Sequence, residues 1–264
     1  MGWLDRFLSD ATVAEPNVEE QLDLALAAAR RGDYEAALAI WGPLGQQGVA
    51  RAQNNIGACF AGGLGVERNP ELAVKWLTLA AEGGDPAANR NLATAHFKGE
   101  GVPEDPLKAA ELYRIAAEAG DAQAQDMLSW MLLEGELLPP DHEAAHRWAE
   151  AAARQGIATS MTRMGMIYHN ALGVDRNPER AVHWWRMAAA RNQADAQAML
   201  GAACLMGAGT GRDPHAALVW LYRGRLGGSD LAQPFIANAE RAATPAQIDE
   251  ARRLAQQPLP ETDP

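Results

Sequence analysis

The sequence is poor in cysteine, in positive charge and in long apolar runs, and each shortage excludes a class of protein. Two cysteines in 264 residues cannot build a disulfide framework. Lysine and arginine number 23 against 34 acidic residues, giving a net charge of −11. This balance argues against a nucleic-acid partner, because phosphate binding needs a basic surface. No run approaches the roughly 20 apolar residues of a transmembrane helix.

The first ten residues, MGWLDRFLSD, also lack the basic and then apolar segments of a secretory signal. We therefore expect a cytoplasmic protein. Trp3, Leu4, Phe7 and Leu8 nevertheless fall on one helical face. They predict a turn that docks on the end of the fold or stays loose. The alternative is a contact of residues 1–8 with a membrane surface or a partner.

The chain contains a pattern that returns every 36 residues. Residues 99–120, GEGVPEDPLKAAELYRIAAEAG, show it most clearly: a glycine turn, an Asp-Pro pair, an alanine-rich stretch and a closing glycine. When the sequence is written in rows of 36 residues, equivalent positions fall in the same column. Four columns keep the same or a similar residue almost throughout: Gly65, Gly101, Leu137, Gly173 and Gly209; Asn69, Asp105, Asp141, Asn177 and Asp213; Trp76, Leu112, Trp148, Trp184 and Trp220; and Gly84, Gly120, Gly156, Asn192 and Gly228. Such self-similarity marks a solenoid, whose units stack on their neighbours. We predict an all-α solenoid of 36-residue helix-loop-helix repeats.

The period also gives the expected layout of the chain. Residues 1–17 form an N-terminal amphipathic turn and linker, and residues 18–49 a shortened N-terminal capping repeat. Five full repeats follow at about 50–85, 86–121, 122–157, 158–193 and 194–229. Residues 230–256 are predicted to be C-terminal capping helices, the last starting at Thr244-Pro245, and residues 257–264 a disordered tail.

Short motifs predict where the helices begin and end. Asn or Asp followed by proline, as in Asn69-Pro70, suits the start of the second helix, because the side-chain oxygen accepts from a free amide and proline needs no donor there. The glycine that closes each second helix suits the left-handed C′ position. The third loop, GELLPPDH, lacks its second glycine, so we expect a different shape that exposes Leu137 or Leu138 unless they pack back.

Two further residue types carry expectations about packing. Gly57 costs its helix roughly 1 kcal/mol relative to alanine, which predicts that a neighbouring helix approaches closely there. Cys59 and Cys204 lie in the first and fifth full repeats. Stacked helical layers are roughly 10 Å apart, whereas a disulfide needs Cα atoms within roughly 7 Å. We therefore expect both thiols to be unpaired.

The repeated pattern resembles the Sel-one-like repeat, a relative of the tetratricopeptide repeat with a longer inter-helix loop. The first repeat carries the resemblance in Ala52, Ile56, Gly57, Gly63, Gly65, Val66, Ala73, Trp76, Ala80, Ala81 and Gly84. It covers residues 50–229 closely and residues 18–49 and 230–256 loosely. Departures are Ala93 and Ser129 at the helix glycine, Leu137 in the third loop and Asn192 at the closing glycine.

The resemblance implies a right-handed α/α superhelix that serves as a non-enzymatic scaffold for protein–protein contacts, often in bacterial signalling. It implies no cofactor. The family also has secreted, cysteine-rich members with disulfide-linked repeats, and this chain lacks their paired cysteines.

Two strings could carry chemistry instead. His142-Glu143-Ala144-Ala145-His146 matches the H-E-x-x-H of zinc metallopeptidases, with His169 as a conceivable third ligand. However, these residues occupy the slots that Pro70-Glu71-Leu72-Ala73-Val74 fill in the first repeat. Gly207-Ala208-Gly209-Thr210-Gly211 imitates a phosphate loop, but it follows a helix and matches the repeat loop. The tryptophan column is interpreted as core.

The positions beside the apolar stripe of each first helix vary between repeats, as a recognition surface would. By analogy with tetratricopeptide repeats, they predict a protein-binding groove on the concave face, formed by Asn54, Arg90, Thr94, Lys98, Asp126, Trp130, Glu134, Thr162, Met166, His169 and Asn170. Trp130 suits an interface anchor, although it could equally fill a gap between repeats. The charged members could also form a solvated ion-pair face of little energetic value.

The resulting hypothesis is a non-enzymatic, cytoplasmic scaffold that binds a protein or peptide segment along this groove, centred on repeats two to four. The first alternative is a zinc-dependent hydrolase that uses His142, Glu143 and His146. The second is a membrane-proximal adaptor tethered by the N-terminal amphipathic turn.

Overall fold

The computed structural model describes residues 16–135 and 137–259, and within these ranges the chain forms α-helices, one 3-10 turn and no strands. The amphipathic residues 1–8 and most of the predicted tail lie outside the described residues. The helices are α1 Val18–Arg30, α2 Tyr34–Gln46, α3 Ala50–Gly62, α4 Pro70–Glu82, α5 Pro86–Lys98, α6 Pro106–Glu118, α7 Ala122–Glu134, α8 His142–Arg154, α9 Ala158–Asn170, α10 Pro178–Ala189, α11 Ala194–Met206, α12 Pro214–Leu226, α13 Gln233–Arg241 and α14 Pro245–Gln256.

The predicted all-α solenoid of 36-residue units is confirmed. Each full repeat is a helix pair, and we call the first member its A helix (α3, α5, α7, α9, α11) and the second its B helix (α4, α6, α8, α10, α12). The chain divides into two compact units between Leu112 and Tyr113, inside α6. In the described part of the chain, none of the helices has the length and apolarity needed to cross a membrane.

Asx-proline pairs start α4, α6, α10 and α12, as the sequence predicts. The side-chain oxygen of Asn69 accepts from the amide of Leu72 at 2.9 Å, and Asn177 and Asp213 accept in the same way at 2.9 Å. Each bond satisfies one of the amides that a helix N-terminus leaves without a partner. These caps depend on residues three apart in sequence, which is why a single sequence reveals them.

The B helices end in the left-handed region, also as predicted. Gly84 has φ +83° and Gly228 has φ +90°, and Asn192 takes φ +60° in the fourth repeat, where no glycine is available. Asparagine tolerates this conformation better than most residues because its side chain can hydrogen-bond locally. The substitution at Asn192 therefore leaves the chain reversal intact.

The second loop glycine, which four of the five full repeats have, allows the loop to pack closely against the preceding repeat. A Cβ atom on Gly209 would lie 2.1 Å from the carbonyl oxygen of Pro178, and one on Gly101 would lie 2.3 Å from that of Pro70. Both positions have positive φ. In the phosphate-loop-like string 207–211, Gly209 is thus explained by packing between consecutive repeats, and Gly207 by its own positive φ of +71°.

The glycine within the A helix allows its B helix to approach, which confirms the expectation for Gly57. A Cβ atom there would lie 2.8 Å from Leu77, and one on Gly165 would lie 2.2 Å from the indole nitrogen of Trp185. The third repeat carries Ser129 in place of this glycine and Ala149 in place of the large residue. Both residues are fully buried. In the third repeat, a larger residue on the A helix therefore accompanies a smaller residue on the B helix.

The tryptophan column lies beside the centre of the core. Trp76, Trp184 and Trp220 are half-buried and pack against buried residues of their units. The residue that follows each is buried completely or nearly so, as Leu77, Trp185 and Leu221 show. The column is therefore packing surface, in agreement with its interpretation as core.

The third loop closes like the others despite its different sequence. The amide of Asp141 donates to the carbonyl of Leu132 at 3.0 Å, and the amide of Asn177 makes the same bond to Tyr168 at 2.9 Å in the next repeat. Leu137 and Leu138 are half-buried, which is the packed-back arrangement the sequence left open.

Polar residues hold consecutive repeats together inside each unit. Gln53 donates to the carbonyl of Gly45 at 2.9 Å, and Gln197 donates to that of Ala189 at 3.2 Å. Both glutamines are buried, and each reaches the end of the helix before its own. The two cysteines are also buried and unpaired, as expected, and burial raises the pKa of both thiols.

Candidate functional site

The predicted groove residues of the first unit lie on α3 and α5. Asn54 is buried and accepts a hydrogen bond from the amide of Asn91 at 2.8 Å. Thr94 donates to the carbonyl of Arg90, one turn earlier, at 3.0 Å, and lines a cavity of about 180 Å³ between α3, α4 and α5. Lys98 is exposed. The chemistry of this face is thus hydrogen bonding between repeats, with one exposed cation at its end.

The second unit contains a buried polar network around Asp126. Its carboxylate accepts from the guanidinium of Arg163 and from the hydroxyl of Ser160, and also from Thr159 at 3.0 Å. Only 16% of the Asp126 side chain and 13% of the Arg163 side chain are exposed. Because the carboxylate has its charge and its oxygens satisfied by α9, Asp126 serves first to join α7 to α9.

Arg163 also explains the serine in the glycine column. Its guanidinium donates to the hydroxyl of Ser129 at 3.0 Å, and that hydroxyl donates to the carbonyl of Asp126. Asp126 and Arg163 are 37 residues apart, the same separation as Asn54 and Asn91. The same two positions therefore contact each other across consecutive repeats, as an ion pair between Asp126 and Arg163 and as a pair of side-chain amides between Asn54 and Asn91.

Four predicted groove residues share one depression of the second unit. Trp130, Glu134, Thr162 and Met166 line a hollow of about 190 Å³ together with Arg163 and Asp195. Thr162 is buried and donates to the carbonyl of Ala158. Glu134 is exposed, whereas the charge of Arg163 is met by Asp126. We call this hollow the acidic depression, since Glu134 and Asp195 give it negative charge.

A second, apolar depression adjoins the first at Met166. It has a volume of about 280 Å³ and is lined by Met166, His169, Asn170, Trp185, Met199, Ala202, Ala203, Met206, Ala208 and Phe235. Met166 and Met206 are 37% and 56% exposed. The His169 ring lies 5.5 Å from the Trp185 ring, so it forms part of the wall. We call this hollow the methionine depression.

The methionine depression contains residues that the sequence reasoning missed. Met206 stands 36 residues after Asn170, in the column of Lys98 and Glu134, so extending that column by one repeat would have found it. Phe235 belongs to α13, outside the repeats, and no column points to it. The set Trp130, Glu134, Thr162, Met166, His169 and Asn170 is brought together on α7 and α9; its role in binding stays a prediction.

The metallopeptidase-like string has a different local environment from that of a zinc site. His142 is the first residue of α8, and its backbone is covered by Gly173 of the next repeat. His146 Nε2 lies 3.4 Å from the Tyr168 hydroxyl, which also accepts from Arg180 at 3.1 Å. Among the described residues, no group of three histidine, cysteine or acidic side chains is placed to hold a metal ion.

Tyr222 and Glu240, whose pKa values are shifted, lie near the C-terminal helices and line neither depression. The Tyr222 hydroxyl donates to Glu240 at 2.6 Å, and Arg252 reaches the same carboxylate oxygen at 3.2 Å. Burial and the adjacent carboxylate raise the pKa of Tyr222. The hydroxyl of Tyr222 and then Arg252 lower the pKa of Glu240 against the opposing effect of burial. This cluster fixes α13 and α14 against α12.

Comparison with known proteins places the repeats in a family. The family model described as Sel1 repeat matches residues 50–85, 86–121, 122–157, 158–193 and 194–229. A search of curated proteins finds no match.

Solved structures show the same fold. The crystal structure of a Sel1 repeat protein from Oxalobacter formigenes is 27% identical, with a TM-score of 0.78, over 92% of this chain and 99% of that one. The immunity protein PA5088 from Pseudomonas aeruginosa is 15% identical, with a TM-score of 0.50, over 92% of this chain and 85% of that one. At that identity, the second likeness concerns the fold alone.

Proposed function

This chain belongs to the Sel1 repeat family, and from that premise we propose that it is a non-enzymatic scaffold that binds a protein or peptide segment across the acidic and methionine depressions. Sel1 repeat solenoids are typically protein-interaction scaffolds. The observation that carries the proposal is the methionine depression, where Met166 and Met206 expose apolar surface beside a concave wall of Trp185 and Phe235.

The shape and chemistry of the methionine depression suit a large apolar side chain. A hollow of about 280 Å³ can take a leucine, phenylalanine or methionine of a partner. Methionine side chains are flexible and polarisable, so they adapt to the shape of an inserted group, which is why such surfaces recur at adaptable binding sites. Anchor residues in desolvated pockets contribute most of the affinity of an interface.

The acidic depression adds a charge preference. Glu134 and Asp195 line it, and its cation, Arg163, is bonded to Asp126. The matching partner carries a lysine or arginine beside its apolar anchor. Complementary charge of this kind contributes mainly to specificity and association rate, and its effect falls as salt screens it.

Panning of a phage-displayed random peptide library on the immobilised full-length protein tests the proposal. We expect enriched peptides to combine a large apolar residue with a nearby lysine or arginine. Met206→Glu should weaken their binding by about tenfold or more, because each tenfold in affinity corresponds to about 1.4 kcal/mol and a charge in the hollow opposes burial of the anchor. Leu226→Glu is the matched control, since Leu226 is 61% exposed at the end of α12.

The possible outcomes separate the parts of the proposal. Peptides that bind Met206→Glu as well as the wild-type protein would exclude the methionine depression as the site. Peptides that need Met206 but carry no basic residue, and bind Glu134→Gln unchanged, would exclude the charge preference alone. Failure to enrich any peptide, together with unchanged binding of an authentic partner by Met206→Glu, would contradict binding at this face altogether.

The zinc-hydrolase and membrane-adaptor alternatives remain hypotheses from the sequence, and no geometry of the described residues favours the first. Metal analysis of the purified protein and of His146→Ala separates it from the scaffold. Stoichiometric zinc in the wild-type protein that is lost in the variant would favour the hydrolase.

A further inference from the structure

One apolar position of the A helix is buried in all five full repeats, and in the first of them it packs against the preceding repeat. It is held by Ile56, Leu92, Leu128, Met164 and Leu200, of which none is more than 8% exposed. In the first full repeat the contact is explicit, because a Cβ atom on Gly45 of α2 would lie 2.6 Å from Cδ1 of Ile56. Burial of this side chain therefore depends on a repeat that stands before its own.

In the capping repeat, the same position has no helix before it among the described residues. Helices α1 and α3 each have 13 residues, and when they are aligned from their first residues, Leu24 of α1 corresponds to Ile56 of α3. Leu24 is 54% exposed. Ile40 stands 36 residues before Trp76, whose ring lies against the same Gly45. We call the surface formed by Leu24, Ala27 and Ile40 the N-terminal end face.

The opposite end of the chain shows how such a face is covered. After the last full repeat, α13 and α14 bury Ile236, Ala239 and Ala251 against the second unit. Arg223 of α12 also donates to the carbonyl of Leu254 at 2.7 Å. Terminal units of solenoids need a covering element, because a repeat that stacks on one side alone leaves its other apolar face in water. Among the described residues, nothing comparable covers Leu24.

We propose that residues 1–15 of the same chain cover the N-terminal end face, with Trp3, Leu4, Phe7 and Leu8 against Leu24 and Ile40. If the segment is helical, the spacings three to seven and four to eight bring these four side chains to one face. A large apolar surface on the segment thus matches an unpaired apolar surface on the capping repeat.

The length of the linker permits this contact. Residues 9–16 separate Leu8 from Asn17, the N-cap of α1. Eight extended residues reach about 26 Å at roughly 3.3 Å each, whereas the 13 residues of α1 extend about 20 Å at 1.5 Å each. The segment can therefore reach any point along α1.

Tethering favours this occupant over a second copy of the chain. A group tethered through a few residues reaches an effective concentration on the order of millimolar, far above the concentration of another molecule in a dilute solution. Two copies could in principle stack their end faces, but the tethered segment would compete with that contact.

Cysteine crosslinking of the full-length chain tests the proposal. The variant Phe7→Cys/Leu24→Cys should form an intramolecular disulfide under mild oxidation and remain a monomer. Phe7→Cys/Leu79→Cys is the matched control, because Leu79 is 47% exposed on α4 of the same unit. We expect the first pair to crosslink about tenfold faster or more, as the effective-concentration advantage of a docked segment requires. The native thiols are buried and stay out of the reaction.

Three results would overturn the proposal. Equal crosslinking rates for the two pairs would mean that the segment does not settle on the end face. A disulfide-linked dimer would identify a second copy as the occupant. Sedimentation of the wild-type chain with anionic phospholipid vesicles, lost in Trp3→Asp/Phe7→Asp and accompanied by slow crosslinking, would assign the segment to a membrane surface.

Discussion

Replacing the buried Asp126–Arg163 pair with the residues of the next repeat distinguishes a structural pair from a binding site. The positions 36 residues later hold Thr162 and Met199, which need no charge there. Asp126→Thr alone leaves the Arg163 guanidinium, whose side chain is 13% exposed, without its counter-charge. Breaking such a pair from one side costs about 3 to 5 kcal/mol of unfolding free energy, because an uncompensated charge stays buried.

The double variant Asp126→Thr/Arg163→Met should regain most of that loss and lie within about 1 kcal/mol of the wild-type protein. Replacement of a buried ion pair by well-packed apolar groups is often neutral. The small remaining cost comes from Ser160, which loses its acceptor. Urea unfolding followed by far-ultraviolet circular dichroism gives the free energies, and the cycle of single and double variants gives the coupling.

The exposed Asp175, in the loop of the fourth repeat, provides the control for this exchange. Asp175→Thr should change the free energy of unfolding by less than about 0.5 kcal/mol. A single Asp126→Thr variant that is equally harmless would show that the pair is hydrated in solution. A double variant as unstable as the single one would show that the network, and not the unpaired charge, determines stability. Either result would refute the reasoning.

Three further predictions follow from packing and charge. Gly165→Ala should destabilise the protein by about 1 to 3 kcal/mol in urea unfolding, because the new methyl overlaps a buried indole. A Cβ atom on Gly42 would have nothing within 4 Å, so Gly42→Ala should instead stabilise the protein by about 0.5 to 1 kcal/mol. Changes in unfolding free energy of the same sign for the two variants would refute this. Glu240 has a lowered pKa, so its contribution is present above the ordinary glutamate value of about 4.3 and is lost as pH falls through the lowered value. The Tm gap between the wild-type protein and Tyr222→Phe should therefore narrow in acid, and a constant gap would contradict the linkage. Both thiols should react with a chromogenic disulfide reagent only on unfolding, since burial raises their pKa values, and fast reaction of the native protein would contradict their burial.

Much of the fold is predictable because its causes are local and are repeated. An Asx-proline start, a left-handed glycine end and an apolar stripe involve residues within one or two turns of each other. The period repeats these signals, and the Asx-proline start and the closing glycine each occur in four of the five full repeats. The third repeat shows the limit of this reasoning. Its loop differs in sequence, yet the Asp141 amide still bonds to the Leu132 carbonyl, because the helices on either side determine where the loop must close.

The candidate site was predictable only in part. Variation within the columns pointed to Trp130, Glu134 and Met166, which line adjoining depressions of the second unit. It did not reveal that the side chains of Asn54 and Asp126 accept hydrogen bonds from the next repeat. A column shows that its residues vary, but it does not show what each of them contacts. Comparison of the columns could not find Phe235, because α13 lies outside the 36-residue repeats.

The sequence by itself determined the period, the helix ends, the unpaired thiols and the family. Each of these follows from residues near one another in the chain or from the regular return of a motif. Only the tertiary structure decided that the Ser129 hydroxyl accepts from Arg163 and that two methionines line one hollow. It also decided that, among the described residues, nothing buries Leu24 as its counterparts in the full repeats are buried. The physical reason is that stacking brings together side chains about one repeat apart, and which of them meet depends on how the helices pack.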